Sequence, residues 1–215
     1  METGHLGPKA VIFDLDEALI DARRAWQYAV EEAVAMVCNR RINAAPLTAE
    51  YRHRPWRHVL GVLVDSADER ARCEALCQQL FYRSAMKRLL VHEGIGMGLD
   101  SVRAGQMEMG AISHERHAIA IKQVESTGLD RFLSVLATTP AGEPWDVEAR
   151  FADCLRFLER EPSEAVFISC DGSDLGRISA GGVRCLAAAW CSDAAVNFPP
   201  VNVPGELAAT LRRIR

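Results

Sequence analysis

The stretch Val11-Ile-Phe-Asp-Leu-Asp-Glu-Ala-Leu19 places two aspartates, Asp14 and Asp16, directly after a short apolar run. The run Ala10–Phe13 is apolar throughout, which is typical of a parallel strand buried on both faces. Two carboxylates this close repel each other in a poorly solvated crevice, and a divalent cation commonly offsets that repulsion. Ligands bind at the carboxyl ends of strands in open α/β sheets, so the stretch predicts a functional site here. The alternative, from these residues alone, is that Asp16 caps a turn and Asp14 is exposed.

Apolar runs alternate with helical patterns in the second half of the chain. Predicted strands lie at Met107–Ile112, Leu133–Thr138, Ala165–Ser169 and Val183–Trp190. Helical periodicity occurs between them at Glu115–Thr127 and Trp145–Arg160. This alternation implies right-handed crossovers and a doubly wound parallel sheet, to which Ala10–Phe13 also belongs.

Residues 20–94 show only helical periodicity. Apolar residues recur at steps of three and four from Ala22 to Val37, and a second helical pattern covers about Asp68–Leu90. We therefore predict an α/β core formed by residues 1–19 and 95–215, with an α-helical insert at 20–94. The glycines of Gly94–Gly98 predict a hinge in the second linker, because glycine accommodates large backbone rotations.

Composition narrows the range of partners. The chain has 25 Lys and Arg against 29 Asp and Glu, and its scattered basic residues do not favour a nucleic-acid partner. No apolar stretch approaches the roughly 20 residues that cross a bilayer, and Met1–Gly7 lacks the pattern of a leader peptide. We expect a cytoplasmic protein without a membrane partner. Its seven cysteines lie mostly in apolar periodic segments, which predicts buried, reduced thiols.

The string Val-Ile-Phe-Asp-Leu-Asp-Glu-Ala-Leu-Ile-Asp, residues 11–21, resembles the first motif of the haloacid dehalogenase superfamily of phosphatases and phosphomutases. In that family the first Asp is the nucleophile and the second is the general acid and base. The resemblance gives these roles to Asp14 and Asp16. Dehalogenases of the family lack the second Asp, so its presence points to phosphoryl transfer. The resemblance covers nearly the whole chain and implies a Rossmann-like core with a helical cap, as in phosphoglycolate-phosphatase-like members.

The family's second motif is a Ser or Thr at the end of the next core strand, and Gly110-Ala-Ile-Ser-His-Glu115 supplies Ser113 there. The resemblance implies that Ser113 binds a phosphoryl oxygen, with His114 as a neighbouring substrate-binding candidate. Taken alone, Ser113 also fits the N-cap of the following helix, and both roles can coexist.

The third motif departs from the family pattern. Glu143 of Ala141-Gly-Glu-Pro-Trp-Asp146 occupies the position of a Lys that normally neutralises the nucleophile and the phosphoryl group. A carboxylate there opposes the same negative charges. Candidates for a replacement cation elsewhere in the chain are Lys122, His114 and Arg177.

The fourth motif is also altered. In Ser169-Cys-Asp-Gly-Ser-Asp174, Cys170 stands where the family has the first Asp, and Asp174 stands where it has the second. Asp171 becomes an alternative ligand if the backbone shifts by one residue. The resemblance therefore implies a Mg²⁺ site formed by Asp14, Asp16 and Asp174 or Asp171.

Taken together, these residues predict a Mg²⁺-dependent phosphatase that acts on a small phosphorylated metabolite through an aspartyl-phosphate at Asp14. The competing hypothesis is a catalytically impaired family member that binds a ligand or a protein, which Glu143 and Cys170 favour. A phosphomutase would need a positively charged clamp in the insert. His53, Arg54, Trp56 and His58 form a basic and aromatic cluster that is either ordinary surface or a contact for the phosphorylated substrate.

Overall fold

The computed structural model describes residues 7–48, 56–191 and 197–214. Its main sheet consists of Ala10–Asp14 (β1), Glu108–Ser113 (β4), Val135–Thr138 (β5), Ala165–Ser169 (β6), Arg184–Ala188 (β7) and Pro200–Val201 (β8). The strand order is β5-β4-β1-β6-β7-β8, and every neighbouring pair is parallel. The predicted α/β class with a parallel sheet is confirmed.

The first strand lies at the centre of this sheet. β1 pairs with β4, where Asp14 lies opposite Ile112, and with β6, where Phe13 lies opposite Ile168. All four residues of Ala10–Phe13 are fully buried, as expected for an apolar run covered on both faces. The carboxyl ends of β4, β1 and β6 therefore meet at one edge of the sheet.

Helices cover the sheet on both faces. In the α/β unit they are Ile95–Ala104 (α5), His117–Thr127 (α6), Val147–Leu158 (α7), Gly172–Ala180 (α8) and Leu207–Arg213 (α9). The buried face of α7 includes Phe151, Cys154 and Leu158, which pack with Ile12 of β1 and Phe167 of β6 in one apolar cluster. This is the face that its helical period predicts.

Residues Asp21–Leu90 form a second compact unit, whereas we predicted an insert at 20–94. Its helices are Arg23–Cys38 (α1), Ala45–Thr48 (α2), Trp56–Leu63 (α3) and Ala67–Arg83 (α4). Two short strands, Ile20–Asp21 (β2) and Leu90–Val91 (β3), pair in a small sheet of their own. None of the helices in the described part of the chain has the length and apolarity that crossing a membrane requires.

Aromatic stacking organises the core of this helical unit. The Trp26 ring stacks on Trp56 at 4.5 Å and on Phe81 at 3.8 Å between ring centroids. Trp56 is 1% exposed because its ring completes this core, so neither hypothesis for it, a surface position or a substrate contact, is correct. The predicted substrate contacts His53 and Arg54 lie outside the described residues, as does the side chain of His58.

The glycines predicted to form a hinge lie instead at a helix start. Gly94 is the N-cap of α5, with a φ of 82°, and Gly96 and Gly98 lie within the helix. A Cβ atom on Gly98 would come within 2.4 Å of the carbonyl oxygen of Pro204. The hinge prediction is therefore wrong for this segment, since Gly98 is needed for the close approach of α5 to the Pro204 turn.

Replacing Gly98 by Ala should destabilise the protein by at least about 1–3 kcal/mol, because the new methyl group meets backbone atoms that cannot rotate away. Gly96→Ala is the matched control in the same helix, where a Cβ meets nothing within 4 Å. That variant should be more stable than wild type by about 0.5–1 kcal/mol. Urea unfolding midpoints of the two variants measure the difference, and equal effects would contradict the packing described.

Candidate active site

Asp14 is the last residue of β1, and both of its carboxylate oxygens accept hydrogen bonds. Oδ1 accepts from the backbone N–H of Asp16 at 3.1 Å, and Oδ2 accepts from the hydroxyl of Ser169 at 3.0 Å. The first bond closes the start of a π-helical turn, Leu15–Leu19, which also carries Asp16. The turn and the end of β6 together fix the orientation of the Asp14 side chain.

Asp16 has one oxygen held by several donors and one without a partner. Oδ2 accepts from the hydroxyl of Ser113 at 2.8 Å and from the backbone N–H of His114 at 2.9 Å. The Nδ1 atom of the His114 ring lies 3.1 Å from the same oxygen. Oδ1 is buried, and no described residue hydrogen-bonds to it. This carboxylate is therefore fixed through Oδ2, while its Oδ1 accepts no hydrogen bond from the described part of the chain.

The environment of Asp14 shifts its titration. Burial, reinforced by the negative charges of Asp16 and Asp174, raises the pKa of Asp14 to about 7. The charge of His114 and the hydroxyl of Ser169 act in the opposite direction but are weaker. Asp14 thus stands in an environment that favours a bound cation at neutral pH.

Of the three predicted replacements for the missing Lys, His114 is in contact with Asp16. Its side chain is 11% exposed, and its ring meets the edge of Trp145 at 6.2 Å between centroids. Burial opposes its charged form, but the carboxylates of Asp16, Glu115, Asp14 and Asp174 outweigh burial and raise the pKa of His114.

The other two candidates engage carboxylates elsewhere. Lys122 pairs with Glu125 on the surface of α6, and Arg177 pairs with Glu148 and Asp146. Glu143 is exposed. Of the predicted cations, His114 is the one that the structure places against Asp16.

The fourth-motif aspartates have different partners. Asp171 is the N-cap of α8, and its Oδ1 accepts from the backbone N–H groups of Ser173 and Asp174. The Asp174 carboxylate accepts from the indole N–H of Trp145 at 3.1 Å, and burial is the main cause that raises its pKa. One Asp171 oxygen is already used to cap the helix. Asp174 is therefore the better candidate of the two for a metal ligand beside Asp14.

The residues present fit a Mg²⁺ ion that keeps several of its water ligands. Among residues 7–48, 56–191 and 197–214, no three His, Cys, Asp or Glu side chains come close enough to hold a metal by themselves. Mg²⁺ requires fewer, since it usually keeps several waters and binds through one or two carboxylates. The carboxylates of Asp14, which is buried, and Asp174, which is half-buried, are hard oxygen donors of the kind this ion prefers, and both have raised pKa values.

Two cysteines are paired, contrary to the prediction of reduced thiols. Cys170, after β6, and Cys191, after β7, form a disulfide with a Cα–Cα distance of 6.2 Å. They are 21 residues apart in sequence, but β6 and β7 are neighbouring parallel strands, so their ends meet. The remaining cysteines are free, namely Cys38, Cys73, Cys77, Cys154 and Cys185.

Sequence reasoning missed three residues around the site. Ser169 could have been predicted, because it ends a predicted strand and ligands bind at the carboxyl ends of parallel strands. Trp145 was missed because nothing in the sequence around it indicates a polar contact. Glu115 was missed because an acidic residue at that position is typical of the first turn of a helix, although it is fully buried here. The N-cap of α6 is in fact Arg116, so the N-cap reading of Ser113 is wrong; its hydroxyl accepts from the backbone N–H of Glu115 instead.

Comparisons with known proteins agree with this fold. A family model described as haloacid dehalogenase-like hydrolase matches residues 11–186. No curated protein matches the sequence.

Solved structures resemble the chain over nearly its full length. A haloacid dehalogenase superfamily hydrolase of subfamily IA from Geobacter sulfurreducens is 19% identical, with a TM-score of 0.74 over 95% of this chain and 97% of that chain. A proposed phosphoglycolate phosphatase from Lactobacillus plantarum is 16% identical, with a TM-score of 0.76 over 96% and 100%. Protein Tyrosine Kinase A of Mycobacterium tuberculosis is 17% identical, with a TM-score of 0.78 over 95% and 98%. At these identities the similarity shows the fold alone.

The raised pKa of Asp14 predicts how stability depends on pH without metal. The folded-state value, about 7, lies above that of the unfolded chain, so the folded protein keeps a proton at intermediate pH that the unfolded chain has lost. This contribution is complete below about pH 4 and is lost as the pH rises through about 7. The free energy of unfolding of wild type, relative to Asp14→Asn, should fall by roughly 4 kcal/mol between pH 4 and pH 8. Urea unfolding of both proteins in the presence of a chelator, at a series of pH values, measures this free-energy difference. A difference that stays constant or rises with pH would contradict the prediction.

Proposed function

Because the chain belongs to the haloacid dehalogenase-like hydrolase family, we propose that it is a Mg²⁺-dependent phosphatase acting on a small phosphorylated metabolite. The observation that carries the proposal is the contrast between two neighbouring carboxylates, Asp14 and Asp16. Asp14 is fixed by donors on both oxygens, whereas Asp16 is held through Oδ2 alone and keeps a bare, buried Oδ1. Neighbouring carboxylates in different environments suit a division into nucleophile and general acid.

The proposed reaction has two steps. A carboxylate oxygen of Asp14 attacks phosphorus, the bond to the leaving oxygen breaks, and Asp16 donates a proton to that oxygen. Asp16 then accepts a proton from water as the water attacks the aspartyl-phosphate, which releases phosphate and restores the Asp14 carboxylate. Oδ1 of Asp16 is the oxygen suited to carry this proton, since Oδ2 is occupied by Ser113 and His114.

The side chains of Asp14 and Asp174 and the backbone carbonyl of Asp16 would hold Mg²⁺. When bound, the ion supplies positive charge that offsets the carboxylates and the phosphoryl oxygens. Asp171 is less suited as a ligand because it caps α8. Ser113 remains the candidate for orienting the phosphoryl group, although here its hydroxyl donates to Asp16, so binding would require that hydroxyl to rotate.

A shortage of positive charge around the phosphoryl group should limit the rate. Loss of one preorganised electrostatic contact typically costs 10²–10³ in rate, and Glu143 is exposed where the family has a Lys. His114 replaces part of that charge, because its ring lies against Asp16. We therefore propose slow turnover.

A small phosphorylated metabolite is the substrate class that these residues favour. The net charge of −4 does not favour a nucleic-acid partner, and the proposal includes neither a nucleic-acid nor a membrane partner. A structural relative carries the name of a phosphoglycolate phosphatase, which makes small organic phosphates the first compounds to assay.

Hydrolysis of an aryl phosphate in Mg²⁺ tests the proposal. Wild type should release phosphate slowly, and Asp14→Asn should be slower by at least about a hundredfold, because the amide is a poor nucleophile. Asp100→Asn makes the same chemical change on an exposed turn of α5 and should retain the wild-type rate.

Hydrolysis that survives in Asp14→Asn would exclude this aspartate as the nucleophile. Absence of hydrolysis by wild type across a panel of phosphorylated metabolites would favour the competing hypothesis, a ligand- or protein-binding member of the family. The exposed position of Glu143 and the disulfide at Cys170 would then support that hypothesis.

A further inference from the structure

One end of the disulfide lies within the fourth motif. Cys170 follows Ser169, whose hydroxyl donates to Asp14 and accepts from the backbone N–H of Asp171. Cys170 precedes Asp171, which caps the helix that carries Asp174. A displacement of the Cys170 backbone therefore acts directly on groups that hold both proposed carboxylate ligands.

The other end touches the turn that carries Asp16. The sulfur of Cys191 lies 3.4 Å from the carbonyl oxygen of Glu17. The preceding residue, Trp190, donates its indole N–H to the carbonyl oxygen of Ala18 at 2.9 Å. The disulfide thus joins the β6 side of the site to a segment packed on the Leu15–Leu19 turn.

We propose that the Cys170–Cys191 pair is a redox switch of the metal site. In the oxidised form it holds the fourth motif and the Asp16 turn in the arrangement that binds Mg²⁺, and reduction weakens that binding. The inference rests on the proposed function, because it concerns the same site.

Reduction by a dithiol accounts for the chemistry. A thiolate of the dithiol attacks one sulfur, the Cys170–Cys191 bond breaks, and a mixed disulfide forms. The second thiol of the reagent then displaces the remaining cysteine, so that two protein thiols form and the dithiol becomes a disulfide.

The packing explains why reduction should reach the site. Both half-cystines are buried, Cys170 at 2% and Cys191 at 6% exposure. Two sulfurs that are not bonded need more room, as Cys38 and Cys73 show with a separation of 3.9 Å between sulfur atoms. Close-packed interiors transmit such displacements, and the immediate neighbours are Ser169, Asp171 and Glu17.

Calorimetric titration with Mg²⁺ tests the switch without relying on turnover. Wild type is prepared in oxidised form and after treatment with dithiothreitol, and alkylation followed by peptide mass analysis verifies the state of each cysteine. The reduced protein should bind Mg²⁺ about 10–100-fold more weakly, the usual cost of disturbing groups that orient metal ligands. Cys170→Ser/Cys191→Ser should bind like reduced wild type and should not respond to dithiothreitol. Cys38→Ser, which alters a free thiol in the helical unit, should respond as wild type does.

Equal Mg²⁺ affinity in the two redox states, or tighter binding after reduction, would overturn the switch while leaving the phosphatase proposal intact. Peptide analysis that finds both cysteines alkylated after oxidation would overturn it as well. If neither state binds Mg²⁺ or hydrolyses phosphate esters, both proposals fail together, and that result is distinct from the others.

Discussion

The repulsion between Asp14 and Asp16 is the constraint on which the rest of the site depends. Two buried carboxylates at the end of one strand are stable only where donors and positive charge surround them. The parallel sheet supplies those donors, because β4 and β6 flank β1 and end at the same edge. Ser113 from β4 reaches Asp16, and Ser169 from β6 reaches Asp14.

The remaining charge is distributed asymmetrically. His114 places an imidazole against Asp16, while the donors to the Asp14 oxygens within the described part of the chain are neutral. Burial and the nearby charges of Asp16 and Asp174 raise the pKa of Asp14 to about 7. The nucleophile position is therefore the one that gains most from a cation, which links the proposed chemistry to a metal.

Sequence alone predicts the parts of the fold that follow from local pattern. The uninterrupted apolar run before Asp14 predicts a central buried strand, and the period of α7 predicts its buried face. Features that depend on distant segments are not predictable in this way. The sequence around Gly98 is typical of a hinge, but in the fold the Pro204 carbonyl packs against it. The sequence around Trp56 is typical of a surface segment, but in the fold its ring stacks on Trp26.

The same distinction applies within the site. Asp14, Asp16 and Ser113 were found from sequence because they end strands and match a family pattern, and the structure brings them together. The pairing of Cys170 with Cys191 and the contact of Trp145 with Asp174 depend on loops that meet only after folding. No local signal distinguishes these residues from core cysteines or a surface tryptophan.

Acid quenching during turnover of a phosphate ester, followed by mass spectrometry of the peptides, tests the central claim most directly. The account predicts that the peptide containing Asp14 gains the mass of one phosphoryl group, and that the gain is absent in Asp14→Asn. Turnover with no phosphorylated peptide, or with the phosphoryl group on another residue, would contradict it.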